Sequence, residues 1–211
     1  LYHLPSATSA SVTVSASIPQ VATSTTFSST SGGNITLTNT DNKAIILTFP
    51  TNFYSEDIKL QANSYANNSF TSSKPAFSGK SFIGKTYDFD LFSSSTGASI
   101  YTVSEPVTIV INYMDADISG LNEGALAPYR WGADDSSWQL ISGATIDAAN
   151  NKITFSTTHF SSFVIFGAPA CSDGVDNDGD GKIDYSADPG CSSTSDNDET
   201  DPTPPPSTPS S

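Results

Sequence analysis

Short runs of alternating apolar and polar residues recur along most of the chain. Between residues 21 and 167 they include NITLTNT, KAIILTF, VTIVINY and KITFST, and turn-forming clusters such as SGG, NTDNK and DAANN separate them. An alternation with a period of two is typical of strands that bury one face. No segment of the sequence keeps the 3.6-residue apolar period of an amphipathic helix. Many short strands at this spacing predict an all-β fold, specifically an antiparallel β-sandwich.

The composition of the chain divides it into four parts. Residues 1–20 are rich in Ser and Ala, and their alternating SVTVSASI predicts a linker or an edge strand. Residues 21–167 form the predicted sandwich, and residues 168–200 form an acidic module. Residues 201–211, DPTPPPSTPSS, predict a disordered, polyproline-like linker that ends the chain. We expect such a spacer to connect this chain to further parts of a larger modular protein.

The negative charge is concentrated in one region of the chain. Only 14% of residues are charged and the formal net charge is −14, but ten acidic residues and one lysine lie from Cys171 onward. No basic patch accompanies them, which excludes a nucleic-acid-binding protein. No run approaches the roughly 18 apolar residues of a membrane span, so we expect no membrane insertion in this segment. The low charge and the abundance of Ser, Thr, Asn and Gly favour a surface or secreted protein.

The chain contains two cysteines, and they bracket the acidic stretch CSDGVDNDGDGKIDYSADPGC. A single pair, Cys171 and Cys191, is too sparse for a structural zinc site. In an acidic, Ser/Thr-rich chain the pair predicts a disulfide and an oxidising, extracellular or cell-surface location. Free thiols are the alternative.

The order of the acidic residues in this stretch fits a calcium-binding loop. Three aspartates alternate, a glycine follows the third, and a fourth aspartate comes four residues after the third, which matches positions 1, 3, 5, 6 and 9 of the motif. Alternate carboxylates can then face one ion while the glycine permits a sharp turn. The next backbone carbonyl supplies another oxygen, and Ile183 is expected to anchor the loop on its neighbours.

The stretch from 171 to 191 resembles the calcium repeats of thrombospondin type 3 and related bacterial acidic repeats, through its D-N-D-G-D-G-K-I-D core. The resemblance implies calcium as the cofactor and a loop that calcium stiffens into a joint. Ala187 occupies the position of the EF-hand's bidentate glutamate, so Asp188 or Asp173 is expected to complete the shell. A solvated acidic linker is the alternative. The predicted metal ligands are Asp176, Asp178, Asp180, the carbonyl of Lys182, Asp184 and Asp188.

The last strand segment, STTHFSSFVIFG, carries a second motif. With PVTIVINY and WQLIS it resembles the C-terminal half of ZU5-like β-sandwich domains, over residues 85–167. In some of those domains His-Phe-Ser is an autoproteolysis motif. The resemblance then implies His159 as general base, Ser161 as nucleophile and cleavage between Phe160 and Ser161. The alternative is an uncleaved final strand in which His159 makes local hydrogen bonds.

Aromatic residues around GADDSS offer one further candidate site. Exposed on one face, Tyr129, Trp131 and Trp138 would form a platform for sugars, whereas packing in the core is the alternative. No nucleophile elbow, phosphate loop or metalloprotease motif is present, so we expect no enzyme.

Together these features predict an extracellular, cell-surface structural or adhesive module with a calcium-stabilised loop. Its expected partners are calcium and a cell-surface glycan or protein. A carbohydrate-binding module and a self-cleaving domain are the alternatives.

Overall fold

A computed structural model describes residues 10–15, 25–39, 41–66, 74, 80–132 and 136–202. Within these ranges the regular structure is almost entirely β, and helical structure is confined to 3₁₀ turns of three or four residues. The strands are β1 Ala10–Ser15, β2 Thr25–Phe27, β3 Gly33–Thr38, β4 Ala44–Phe49, β5 Ile58–Ala66, β6 Ser81–Ser93, β7 Ser99–Ile100, β8 Thr102–Asn112, β9 Ala127–Gly132, β10 Ser137–Leu140, β11 Thr145–Asp147, β12 Lys152–His159 and β13 Ser162–Gly167.

The strands form two sheets that pack as a sandwich. The first sheet has the order β1-β3-β4-β8-β12-β11, and the second has the order β10-β9-β13-β6-β5-β2, with β7 paired to β6. All pairs are antiparallel except β1 with β3, which is parallel. The predicted all-β sandwich is confirmed, with this one parallel pair at its edge. The edge strand β1 lies within residues 1–20.

The core lies between the sheets because alternate residues of each strand point inward. On β3, for example, Gly33, Ile35 and Leu37 are buried, whereas Asn34 is exposed and Thr36 is half-buried. Bulky aromatic residues from the two sheets meet in this layer, where the rings of Phe155 and Phe163 lie 6.0 Å apart. Burial of such side chains is the main stabilising contribution to a two-layer fold.

All six residues of β13 are buried, because this strand is covered on both faces. Phe163 and Ile165 face the core, whereas Phe166 belongs to a second aromatic cluster on the other face. Trp138 is in that cluster, is only 4% exposed, and contacts Trp131 edge-on at 5.2 Å. Trp138 is therefore packed inside the protein, as the alternative to a sugar platform predicted, whereas Trp131 is only half-buried.

Residues 1–9 lie outside the described residues. Residues 203–211, which include most of the predicted Pro-rich linker, lie outside the described residues. Among the residues that are described, no helix is long and apolar enough to cross a membrane.

Candidate metal centre

A disulfide holds the acidic module at the end of β13. The chain passes through Pro169 into one 3₁₀ turn at Ala170–Ser172. Within that turn Cys171 is bonded to Cys191, with 5.7 Å between the Cα atoms. Both cysteines are buried. The predicted disulfide is thus present in the structure, and the loop between the cysteines is fixed at both ends.

The loop winds around the carboxylate of Asp176, its first predicted ligand. One oxygen accepts the N–H of Gly179 at 2.7 Å and the other accepts the N–H of Gly181 at 2.9 Å. The two glycines have φ angles of 84° and 90°, a region that side chains strongly disfavour. A Cβ at either position would meet nothing within 4 Å. The loop therefore needs glycine there for its backbone conformation and not for space.

Three of the predicted ligands converge. Carboxylate oxygens of Asp176, Asp178 and Asp180 all lie within 4.8 Å of one another. Asp178 accepts the N–H of Asp180 at 3.0 Å, and Asp180 accepts the N–H of Lys182 at 2.7 Å. These short-range bonds are Asx turns, in which a side chain orients the backbone two residues on. The alternating spacing thus brings together an oxygen set suited to a hard cation.

One of the other predicted ligands, Asp184, is engaged elsewhere, and the side chain of Lys182 contacts the trio. Both carboxylate oxygens of Asp184 accept the N–H of Gly174 at 3.1 Å. The Lys182 ammonium binds the Asp180 carboxylate and lies 3.6 Å from that of Asp201. The Asp180 hydrogen bond raises the pKa of Lys182, so the cation is retained beside the trio. Ile183 does not anchor the loop, because it is 48% exposed.

Asp188 is the buried member of the acidic set. It is 2% exposed, and one carboxylate oxygen accepts the N–H of Gly190 at 2.6 Å. The other oxygen is buried without a hydrogen-bond partner among the described residues. Burial raises the pKa of Asp188, and the charges of Asp180 and Asp178 raise it further. A buried carboxylate oxygen that other carboxylates repel is a costly arrangement unless a positive ion accompanies it.

Glu199, which was not predicted from the sequence, holds the loop through hydrogen bonds to its backbone. It is 2% exposed, and its carboxylate accepts the N–H of Asn177 at 2.6 Å and that of Asp184 at 3.0 Å. It also lies within 4.8 Å of the sulfurs of Cys171 and Cys191. Those sulfurs form a disulfide and offer no thiolate, so Glu199 has a structural role there and the group is not a metal site.

An internal repeat in the sequence marks the position of Glu199. The pattern Cys-Ser-x-x-x-Asp-Asn-Asp occurs at 171–178 and again at 191–198, and Glu199 follows the second copy. In the structure the copies contact each other, because the N–H of Cys171 donates to the carbonyl of Asp196 at 3.1 Å. At Gly190 a Cβ would lie 1.8 Å from the Glu199 carbonyl oxygen. Only glycine permits this close return of the chain.

Asn122 joins the acidic module to the sandwich. Its side-chain amide donates to Asp173 at 2.7 Å and to the side-chain oxygen of Asn177 at 2.6 Å. Its backbone N–H donates to the carbonyl of Ala168 at 2.9 Å. Asp173 is thereby placed at the contact with the sandwich, whereas the pKa of Asp188 responds to the charges of Asp180 and Asp178. A polar cleft of about 290 Å³ separates the loop around Asn122 from the second copy of the repeat.

The His-Phe-Ser motif lies at the opposite end of β13. The Ser161 hydroxyl is within hydrogen-bond distance of the carbonyl oxygens of Trp131, at 3.0 Å, and Ser162, at 3.3 Å. The Nδ1 atom of His159 lies 3.1 Å from the hydroxyl of Thr158. Phe160 between them is buried in the core. These contacts fix the segment where the chain passes from β12 in the first sheet to β13 in the second.

The chain was also compared with known proteins. No protein-family model matches it, and neither does any curated protein.

Proposed function

We propose that this protein is an extracellular, cell-surface structural or adhesive module in which one calcium ion orders the acidic loop. The ligands are Asp176, Asp178, Asp180 and Asp188, with the Lys182 carbonyl as a further oxygen donor. The observation that carries the proposal is the convergence of the Asp176, Asp178 and Asp180 carboxylates, together with the buried Asp188 oxygen that has no hydrogen-bond partner among the described residues. Calcium prefers six to eight oxygen ligands and tolerates irregular geometry, which suits this set.

The proposed extracellular location is supported by the disulfide and by the calcium affinity expected of the acidic module. A buried disulfide persists in oxidising compartments, and millimolar calcium is available to extracellular modules of modest affinity. The motif likeness to thrombospondin type 3 repeats and the sandwich likeness to ZU5-like domains remain part of the proposal. They are consistent with a two-sheet domain followed by a calcium-dependent joint.

The contacts of Asn122 give the ion a structural effect. Because Asn177 lies between two of the ligands and also accepts from Asn122, ordering of the loop is transmitted directly to the sandwich. Calcium would then fix the direction in which the chain leaves the sandwich. This is the property expected of a spacer that holds neighbouring domains at a set angle.

A titration of the whole oxidised chain tests the proposal. The backbone amides of Gly179 and Gly181 are suitable NMR reporters because both donate to Asp176. We expect saturable shifts with one calcium per chain and a Kd of about 10⁻⁴ to 10⁻³ M, the range of extracellular modules. The Asp178→Asn variant should weaken binding at least about tenfold.

The matched control is Glu105→Gln, which removes one exposed negative charge on β8, outside the acidic module. It should leave calcium binding unchanged. An equal response to magnesium, or shifts that never saturate, would show that the loop is only a charged linker.

A further inference from the structure

An open groove of about 650 Å³ lies where β12 crosses to β13. Its walls come from both sheets and carry charged and aromatic side chains. No residue of the acidic module lines it, so it is independent of the candidate metal centre. The side chains that matter for its chemistry are Asp88, Asp90, Tyr101, Arg130, Trp131 and His159.

The groove is framed by fixed backbone contacts. Phe160 is buried, and its N–H donates to the carbonyl of Tyr101 at 2.9 Å. The next residue, Ser161, accepts the N–H of Phe89 at 3.1 Å through its carbonyl and binds the Trp131 carbonyl through its hydroxyl. The His-Phe-Ser segment therefore holds β6, β9 and the residue that precedes β8 around one opening, and a ligand would meet a preformed site.

Strand alternation places the carboxylates at this opening. Tyr87, Phe89 and Leu91 of β6 are buried in the core, so Asp88 and Asp90 between them face away from it. One Asp88 oxygen is buried without a hydrogen-bond partner among the described residues. Burial raises the pKa of Asp90, and the neighbouring Asp88 raises it as well. These acceptors are set back from water and suited to a ligand that brings hydroxyl donors.

The charges that line the groove balance, although the chain as a whole is strongly acidic. Asp88 and Asp90 are matched by Arg130 and Lys74. A cationic or an anionic ligand would meet repulsion from one of these pairs. A neutral ligand with many hydroxyls can instead donate to the carboxylates and accept from the guanidinium fork.

An exposed ring completes the site. Tyr101 is 71% exposed, the highest value among the large apolar or aromatic side chains of the described residues. The half-buried Trp131 also lines the groove. Flat rings next to paired polar groups match the two surfaces of a pyranose, whose C–H face is apolar and whose edge carries hydroxyls.

We propose that this groove binds a neutral saccharide. The ring of Tyr101 stacks on a sugar unit, Asp88 and Asp90 accept hydrogen bonds from its hydroxyls, and Arg130 donates to them. This goes beyond the structural role proposed above and gives the sandwich a ligand of its own. It also differs from the platform predicted from sequence, because the buried Trp138 takes no part.

The test uses the full chain and four defined probes: cellohexaose, chitohexaose, xylohexaose and maltohexaose. The protein has two tryptophans, so their indole N–H signals give a compact NMR readout. We expect at least one probe to shift the Trp131 signal saturably, with a smaller effect on the buried Trp138. Tyr101→Ala should raise the Kd on the order of tenfold, and Asp90→Asn should raise it as well.

Tyr185→Ala is the matched control, since Tyr185 is 49% exposed on the acidic module. It should leave the Kd unchanged, and binding should persist in a calcium chelator. An unchanged Trp138 signal in Tyr101→Ala shows that the fold is retained. The proposal is overturned if none of the four probes shifts Trp131, if Tyr185→Ala weakens binding as much as Tyr101→Ala, or if a sulfated heparin hexasaccharide binds more tightly than all four.

Discussion

Glu199→Gln should loosen the acidic loop without unfolding the sandwich. The carboxylate of Glu199 accepts two backbone N–H groups, from Asn177 and Asp184. Glutamine has the same shape but offers one acceptor oxygen, so one N–H would face an NH₂ group. A buried donor left without an acceptor costs about 1 to 3 kcal/mol. We take about 2 kcal/mol for the loss in local opening free energy, which corresponds to roughly a 30-fold faster exchange of the protected amides.

Hydrogen exchange measured residue by residue is the appropriate assay. In a calcium chelator, the amide of Asn177 or of Asp184 should exchange faster in Glu199→Gln, while core amides such as that of Phe89 should not change. Asp198→Asn is the control, since the exposed Asp198 accepts its hydrogen bonds from the nearby Thr200, including its N–H at 2.9 Å. If both reporter amides keep their rates, or if Asp198→Asn has the same effect, Glu199 does not support the loop.

Three further outcomes are expected. Asp188→Asn should stabilise the metal-free module at neutral pH and weaken calcium binding. Because the pKa of Asp188 is raised in the folded state, the stability of the metal-free module should fall as the pH rises from the unfolded-state pKa through the folded-state pKa. Calcium affinity should fall as the pH drops through the folded-state pKa, because calcium binds the ionised carboxylate. Thermal melts and calcium titrations between pH 4 and 8 measure both, and an equal pH response in the variant would contradict this. Lys182→Gln should tighten calcium binding in the amide-shift titration, because it removes the ammonium that occupies Asp180, and weaker binding would refute that. Asn122→Asp sets a carboxylate against Asp173, so ¹⁵N relaxation should show faster motion of the module with an unchanged sandwich Tm, whereas rigid tumbling as one body would count against the Asn122 contact.

Much of the sandwich could be predicted from sequence because its strands bury one face. NITLTNT, KAIILTF and KITFST alternate clearly, and they became β3, β4 and β12. Strand β9, APYRWG, was not predicted, since Pro128 and Gly132 are poor strand formers. What decides it is tertiary: it pairs with β13 on one side and with β10 on the other.

The candidate site was predictable only where its geometry is local. The convergence of Asp176, Asp178 and Asp180 follows from alternate spacing and glycine turns, both of which are visible in the sequence. The direction of Asp184 depends on Gly174, ten residues earlier, and the burial of Glu199 depends on a return of the chain after the disulfide. Such contacts between distant residues carry no periodic signal, although the repeated Cys-Ser-x-x-x-Asp-Asn-Asp pattern marks where they occur.

The acidic module combines features that each make sense only with the others. Closing a loop of about 20 residues with a disulfide contributes about 3 kcal/mol by restricting the unfolded chain, and this opposes the repulsion among its aspartates. Two buried carboxylates differ in their hydrogen bonding. Both oxygens of Glu199 accept backbone N–H groups, whereas one oxygen of Asp188 has no partner among the described residues. A passive acidic linker would have no reason to bury either. The proposed calcium-dependent joint needs both, one to hold the backbone and one to bind the ion.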